Sequence, residues 1–207
     1  MIALSTATKK AMIAIKFDGK EDFCQLDANA KHSENALPAL IELIEKNELE
    51  LNDNDSFAVV VGPGSFTGIR IGLALVKGLI EGLGQDKKVF PISTFELMAT
   101  AYLKEKPKND FTCVIDALSG LCFACKFDKD GNQIGEEKLL SKEELDKMDG
   151  QKVSLKEENI YDISVDVNAT DLLDIALKKE RENKSISQKE LTALYIRKSQ
   201  AEDQLKK

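Results

Sequence analysis

Apolar positions along the chain fall into short runs separated by turn residues, and their spacing changes between strand and helix type. Ile2-Ala3-Leu4 and Ala11–Phe17 read as two strands, with Asp18-Gly19 as the turn after the second. Phe23 to Asp27 reads as a short third strand. From about Ser33 the pattern changes: Leu37, Leu40, Ile41 and Ile44 recur at i, i+3, i+4 and i+7, the signature of an amphipathic helix. Ser33 is a natural N-cap there, and Pro38 offers an alternative first turn. After the turn cluster Asn52–Asp55, Phe57–Val61 is a continuous apolar run of the kind buried on both faces of a parallel sheet. A glycine-rich loop and a long helix to about Leu83 follow. Val89–Ile92 is another short strand, and Ser93 or Thr94 then caps a helix running through Tyr102. The first half therefore predicts βββαβαβα.

The second half begins the same way. Phe111–Ile115 and Leu121–Phe127 read as strands, and Asp130-Gly131-Asn132 turns toward a third. The pattern then thins into a charged stretch from Glu136 to Glu158 with short apolar islands. A helix is predicted at about Thr170–Lys179, followed by a solvated charged connection from Lys178 to Lys184. An element order that starts twice predicts two related lobes, although no residue-level repeat accompanies it.

The segment from Val59 to Leu83 carries the most candidate chemistry. It lacks G-K-[ST], so no lysine is placed to reach phosphates as in a P-loop, and its glycines read G-x-G-x-x-x-G, one residue off the dinucleotide spacing. A nucleophile elbow would need glycine where Pro63 and Thr67 stand. What remains is a strand, a tight loop and a helix N-terminus. Its free amides could hold an anion near Gly62, Gly64 and Ser65, or Ser65 or Thr67 could simply cap the helix. The helix also carries Gly68, Gly72, Gly78 and Gly82, each costing about 1 kcal/mol relative to Ala. Either close packing on its own sheet or an interface with another chain would offset that cost.

Composition narrows the options further. The chain has 207 residues, enough for one large domain or two small lobes at roughly 100–200 residues per domain. Its formal charge is −7 and both halves are net acidic, which argues against an autonomous nucleic-acid binder. There is no Trp and a single His, so an H-E-x-x-H zinc pair cannot be assembled, and His32 beside Ser33 reads as sequence neighbours rather than as part of a shaped triad. Cys122 and Cys125 form a lone C-x-x-C on a predicted strand, where residues three apart point to opposite faces, so no metal site is expected. The N-terminus lacks a secretory pattern. The most apolar stretch, Val59 to Leu83, is interrupted by Arg70, Lys77 and Glu81, so no membrane span is read and a cytoplasmic location is expected.

Gly62 to Ala74, G-P-G-S-F-T-G-I-R-I-G-L-A, closely resembles the signature of the TsaB family, also called YeaZ. Weaker matches follow in order: Ile2–Thr8; His32-Ser33 with Leu37-Pro38; Ile92–Thr94 with Leu97 and Ala99; and Leu194–Arg197 with Ala201-Glu202. The resemblance implies an α/β actin-like fold of two ribonuclease-H-like lobes, the second abbreviated. Residues 1–105 would form the first lobe and residues 106–207 the second, with the last segment able to cross back. It further implies a role in making threonylcarbamoyladenosine in tRNA as a non-catalytic subunit that binds and activates the TsaD transferase. A TsaE-type ATPase would join them, tRNA would be met only through the complex, and the chain alone would form a homodimer. No cofactor of its own is implied, with ATP entering at the level of the complex.

The interface implied by the resemblance lies on the glycine-bearing helix, at Thr67, Gly68, Ile71, Gly72, Leu75, Val76 and Leu79. No residue takes a catalytic role. Gly62, Gly64, Ser65 and Asp116 are the candidates for anion or nucleotide proximity. The chain also departs from the family pattern: Ser5 replaces an Asp that helps organise metal and phosphate in catalytic relatives, and Leu118, Leu121 and Phe123 replace an Arg, a Glu and a Tyr. These losses disfavour the alternative, an autonomous actin-like ATPase or kinase.

Overall fold

The computed structural model describes residues 1–27, 29–84, 87–161 and 163–196. The N-terminal apolar runs form β1 (Ile2–Ser5) and β2 (Ala11–Phe17), an antiparallel pair extended by β3 (Lys20–Leu26). Then come α1 (His32–Lys46), β4 (Ser56–Gly62), α2 (Phe66–Leu83), β5 (Lys88–Ser93) and α3 (Thr94–Leu103). The strands form one sheet in the order β3-β2-β1-β4-β5, with β4 parallel to both β1 and β5. Every residue of β1 and β4 is buried, because helices cover both sheet faces. On one face α1 and α2 pack side by side; α5 (Ala169–Arg181) packs on β1, β2, β3 and β5 and against α3.

A second sheet repeats this order. β6 (Phe111–Asp116), β7 (Leu121–Phe127), β8 (Gln133–Ser141), β9 (Gln151–Leu155) and β10 (Ile163–Val165) run β10-β9-β6-β7-β8. Its first three strands are antiparallel and the next two join in parallel, matching the first sheet step for step. The strands are complete in number. What is shortened is the helical cover, which between β8 and β9 shrinks to α4 (Lys142–Asp146).

Three local readings change. The charged stretch from Glu136 to Glu158 holds most of β8, α4 and all of β9; β8 is a largely exposed edge strand whose charged residues leave no alternation to detect. In α1 the buried residues are Ala36, Leu40, Leu43 and Ile44, while Leu37 and Ile41 of the predicted core stripe are 41% and 44% exposed. The N-cap of α1 is Lys31 rather than Ser33, and no side chain caps it; Pro38 lies inside the helix. Cys122 and Cys125 do fall on opposite faces: Cys125 lies opposite Cys113 in the main core, and Cys122 packs with Val114, Ala124 and Leu145 in a separate cluster.

After α5 the chain returns along the first sheet. Ile186 bridges to Val89 at the edge of β5, Gln188 Nε2 donates to the Lys77 carbonyl, Leu191 is fully buried, and the Leu194 amide donates to Val61 at 2.8 Å. Arg197, Ala201 and Glu202 of the C-terminal resemblance lie outside the described residues. Among the described residues no helix is long and apolar enough to cross a membrane.

Candidate functional site

The parallel strands β1, β4 and β6 end at a cavity of about 730 Å³ between the two sheets. Its walls come from the β1–β2 turn (Ala7, Thr8, Lys9), the start of α1 (Lys31, His32, Ser33) and the glycine-rich loop with the first turn of α2. The second sheet contributes Asp116, Ala117 and Leu118 from the β6–β7 turn, together with Glu157 and Glu158 after β9; Leu194, Tyr195 and Ile196 close one side. A location at the carboxyl ends of parallel strands is the usual place for a ligand in an open α/β sheet.

The glycine-rich loop serves first to seat the β1–β2 turn. Ser65 caps α2, its Oγ accepting from the Gly68 amide at 3.1 Å, and the Ser65 amide donates to the Ala7 carbonyl at 2.8 Å. The Thr6 hydroxyl donates to the Gly68 carbonyl at 2.6 Å. A Cβ on Gly64 would lie 2.4 Å from the Ala7 oxygen, and one on Gly68 would lie 1.9 Å from the Thr6 oxygen. These glycines thus permit two backbones of the same chain to touch. Of the anion candidates, Gly64, Ser65 and Asp116 line the cavity and Gly62 does not.

The same geometry corrects part of the interface assignment. Gly68, Gly72 and Val76 are buried. A Cβ on Gly72 would meet Thr6 Oγ1 at 2.7 Å and the side chains of Val59 and Leu4. These three positions face their own sheet. Thr67 is exposed, and Ile71, Leu75 and Leu79 are partly exposed, joined on the outer side by Ala74, Gly78 and Gly82. A Cβ on Gly78 or Gly82 would have nothing within 4 Å among the described residues, so the packing described requires neither glycine.

Electrostatics on the second-sheet wall are set by residues that motif reading passed over. Glu157 Oε1 accepts from the Lys9 amide at 2.9 Å, and Lys9 Nζ donates to the Glu157 carbonyl at 3.0 Å, so this pair ties the two sheets together across the cavity. Glu158 Oε2 accepts from the Asp116 amide at 3.1 Å, while Asp116 Oδ1 accepts from the Leu118 amide at 2.8 Å inside its own turn. Burial pushes the Glu158 carboxyl up to about 7, and the neighbouring Asp116 and Glu157 charges add to burial, against the opposing Asp116 amide bond and the Lys9 charge. At the rim the Arg70 guanidinium lies 3.8 Å from the Phe66 ring centroid and Arg70 Nε donates to the Tyr195 hydroxyl at 3.3 Å. His32 also lines the cavity, and its buried Nε2 has no partner among the described residues. Ser5, standing where the family pattern has Asp, is fully buried and does not line the cavity. The only sequence signal for Glu157 and Glu158 was their place in a charged stretch, which by itself reads as solvated surface.

Two sheets of the same strand order, with a cavity between them and α5 returning to the first, make this an α/β protein of the actin-like, ribonuclease-H-like fold. YeaZ from Pseudomonas aeruginosa shares this fold, with a TM-score of 0.78 at 21% identity over 94% of this chain and 98% of that one. The family model described as "TsaD: tRNA N6-adenosine threonylcarbamoyltransferase" matches residues 26–201. The chain belongs to this family, on its TsaB (YeaZ) branch. It is similar to the tRNA threonylcarbamoyladenosine biosynthesis protein TsaB of Haemophilus influenzae, 33% identical over 117 residues that cover 56% of this chain and 49% of the relative. To the protein of the same name in Escherichia coli it is 30% identical over 139 residues, covering 66% and 59%. The matched stretch thus spans about half the length of these curated relatives.

Proposed function

We propose that this chain is a non-catalytic partner subunit that binds and activates a TsaD-type transferase in threonylcarbamoyladenosine modification of tRNA. The observation that carries the partner role is the outer side of α2. Gly78 and Gly82 lie in mid-helix and near its end with open space where a side chain would be. Each costs about 1 kcal/mol in helix propensity, and no contact among the described residues offsets it. A partner helix lying against Ile71, Ala74, Leu75 and Gly78 would offset it through close backbone approach. Exposed Leu37 and Ile41 on the adjacent α1 extend the apolar surface available to such a partner.

Membership of the transferase family, with relatives named for threonylcarbamoyladenosine biosynthesis, supports the pathway. The partners that follow are the TsaD homologue, with a TsaE-type ATPase joining the pair, and a second copy of this chain when the partner is absent. Transfer chemistry, ATP and most contact with tRNA belong to the complex. The acidic charge of −7 accords with a subunit that leaves RNA phosphates to others. Autonomous phosphoryl transfer lacks support: Ser5 does not reach the cavity, Leu118 replaces the Arg, and Asp116 is engaged in its own turn.

Co-purification with the TsaD homologue of the same cell tests the interface. Gly78→Leu should fold normally and lose capture of the partner, whereas Gly78→Ala should retain most of it. Undiminished capture by Gly78→Leu would remove α2 from the interface.

A further inference from the structure

The actin-like fold implies a nucleotide in the cavity between its halves, its phosphates reaching the amides of the two equivalent turns, β1–β2 and β6–β7. The residues present do not fit that ligand. On the first turn the Lys9 amide already donates to the Glu157 carboxylate. On the β6 side the Asp116 amide donates to the Glu158 carboxylate. On each side of the cavity one amide able to meet a phosphate oxygen is satisfied by a carboxylate of this chain. Of the lysines on the cavity wall, Lys9 donates its Nζ to the Glu157 carbonyl and Lys31 donates its Nζ to Glu34 Oε1, both at 3.0 Å.

We infer that Glu157 and Glu158 act as a built-in anion substitute that bars nucleotide phosphates from the cavity between the sheets. The two adjacent carboxylates enter from one loop after β9 and reach both turns, so a single segment satisfies each half and joins them. A polyphosphate arriving there would lose those amide donors and meet three carboxylates, counting Asp116, in a partly desolvated cleft where like charges repel more strongly than in water. The Ser65 amide, committed to the Ala7 carbonyl, offers no replacement. Glu157 and Glu158 are specificity-determining residues in this account, with no catalytic part. The inference goes beyond the proposed partner role and does not rest on it: a chain that fails to bind TsaD could still exclude nucleotide, and the reverse.

The test uses the whole chain and exploits its lack of Trp. Leu118→Trp, at a 68% exposed position on the cavity edge, supplies a single fluorophore beside the β6–β7 turn. In this background, ADP and inorganic pyrophosphate are titrated at pH 8 into the parent, the single Glu157→Gln and Glu158→Gln variants, and the double variant. Glutamine keeps an acceptor oxygen for each amide, and circular dichroism confirms the fold of each protein. The parent should give no saturable signal up to the highest concentration titrated, and the double variant should saturate with a Kd at least about tenfold below that limit, with the single variants in between. Saturable micromolar binding of ADP by the parent would overturn the inference. So would folded variants, single or double, that bind neither probe better than the parent.

Discussion

Glu158 couples the cavity to pH in a direction the physics determines. Its carboxyl titrates at about 7 in the fold against an ordinary value of 4.5, because burial disfavours the charged form more than the Asp116 amide and the Lys9 charge favour it. The folded state therefore holds this proton more tightly than the unfolded state. The resulting stabilisation is fully present below pH 4.5 and is lost as pH rises through 7. Glu158→Gln should match the parent protein near pH 5 and exceed its stability at pH 8. Urea midpoints at the two pH values measure this, and parallel curves for the two proteins would contradict it. The glycines of α2 separate in the same manner, residue by residue. Gly68→Ala should cost about 3 kcal/mol, since its new methyl meets the Thr6 carbonyl backbone. Gly78→Ala should gain about 1 kcal/mol, since its methyl meets nothing among the described residues. Loss of stability by Gly78→Ala would mean that the helix needs that glycine for its own packing.

Among the elements, those with strong periodic or turn signals were legible in the sequence, and those shaped by tertiary surroundings were not. β4 was readable because a strand buried on both faces must be continuously apolar, and the Ser65 cap because a hydroxyl precedes the first helical turn. β8 was hidden because an edge strand exposed to solvent has no core face to pattern. The rotation of α1 away from Leu37 and Ile41 was equally hidden, since periodicity establishes a stripe but the neighbouring sheet and α2 decide which side of it is covered. In the cavity, Ser65 and Asp116 were found by motif, whereas Glu157 and Glu158 come from a loop placed by the pairing of β6 with β9, a long-range event. The returning segment after α5 acts as a strap, through Ile186 on β5, Gln188 on α2 and Leu194 on the end of β4, with Leu191 buried beneath it. Leu191→Ala, at a fully buried position, should destabilise the protein by about 2–5 kcal/mol, read from urea unfolding. A change near zero would show that the strap is not part of the cooperative unit.

At the scale of the whole molecule, two equivalent sheets enclose a cavity in which the chain's own carboxylates take an amide on each side, while the outer side of α2 keeps two glycines with no neighbour among the described residues. Both features accord with a protein that retains an enzyme's architecture and works through a partner. The most direct measurement is threonylcarbamoyl transfer to tRNA by the TsaD homologue and TsaE-type ATPase of the same cell, with this chain present, absent, or replaced by Gly78→Leu. The account predicts transfer only with the intact chain, and loss of transfer with Gly78→Leu despite a folded protein. Full transfer without this chain would contradict the account.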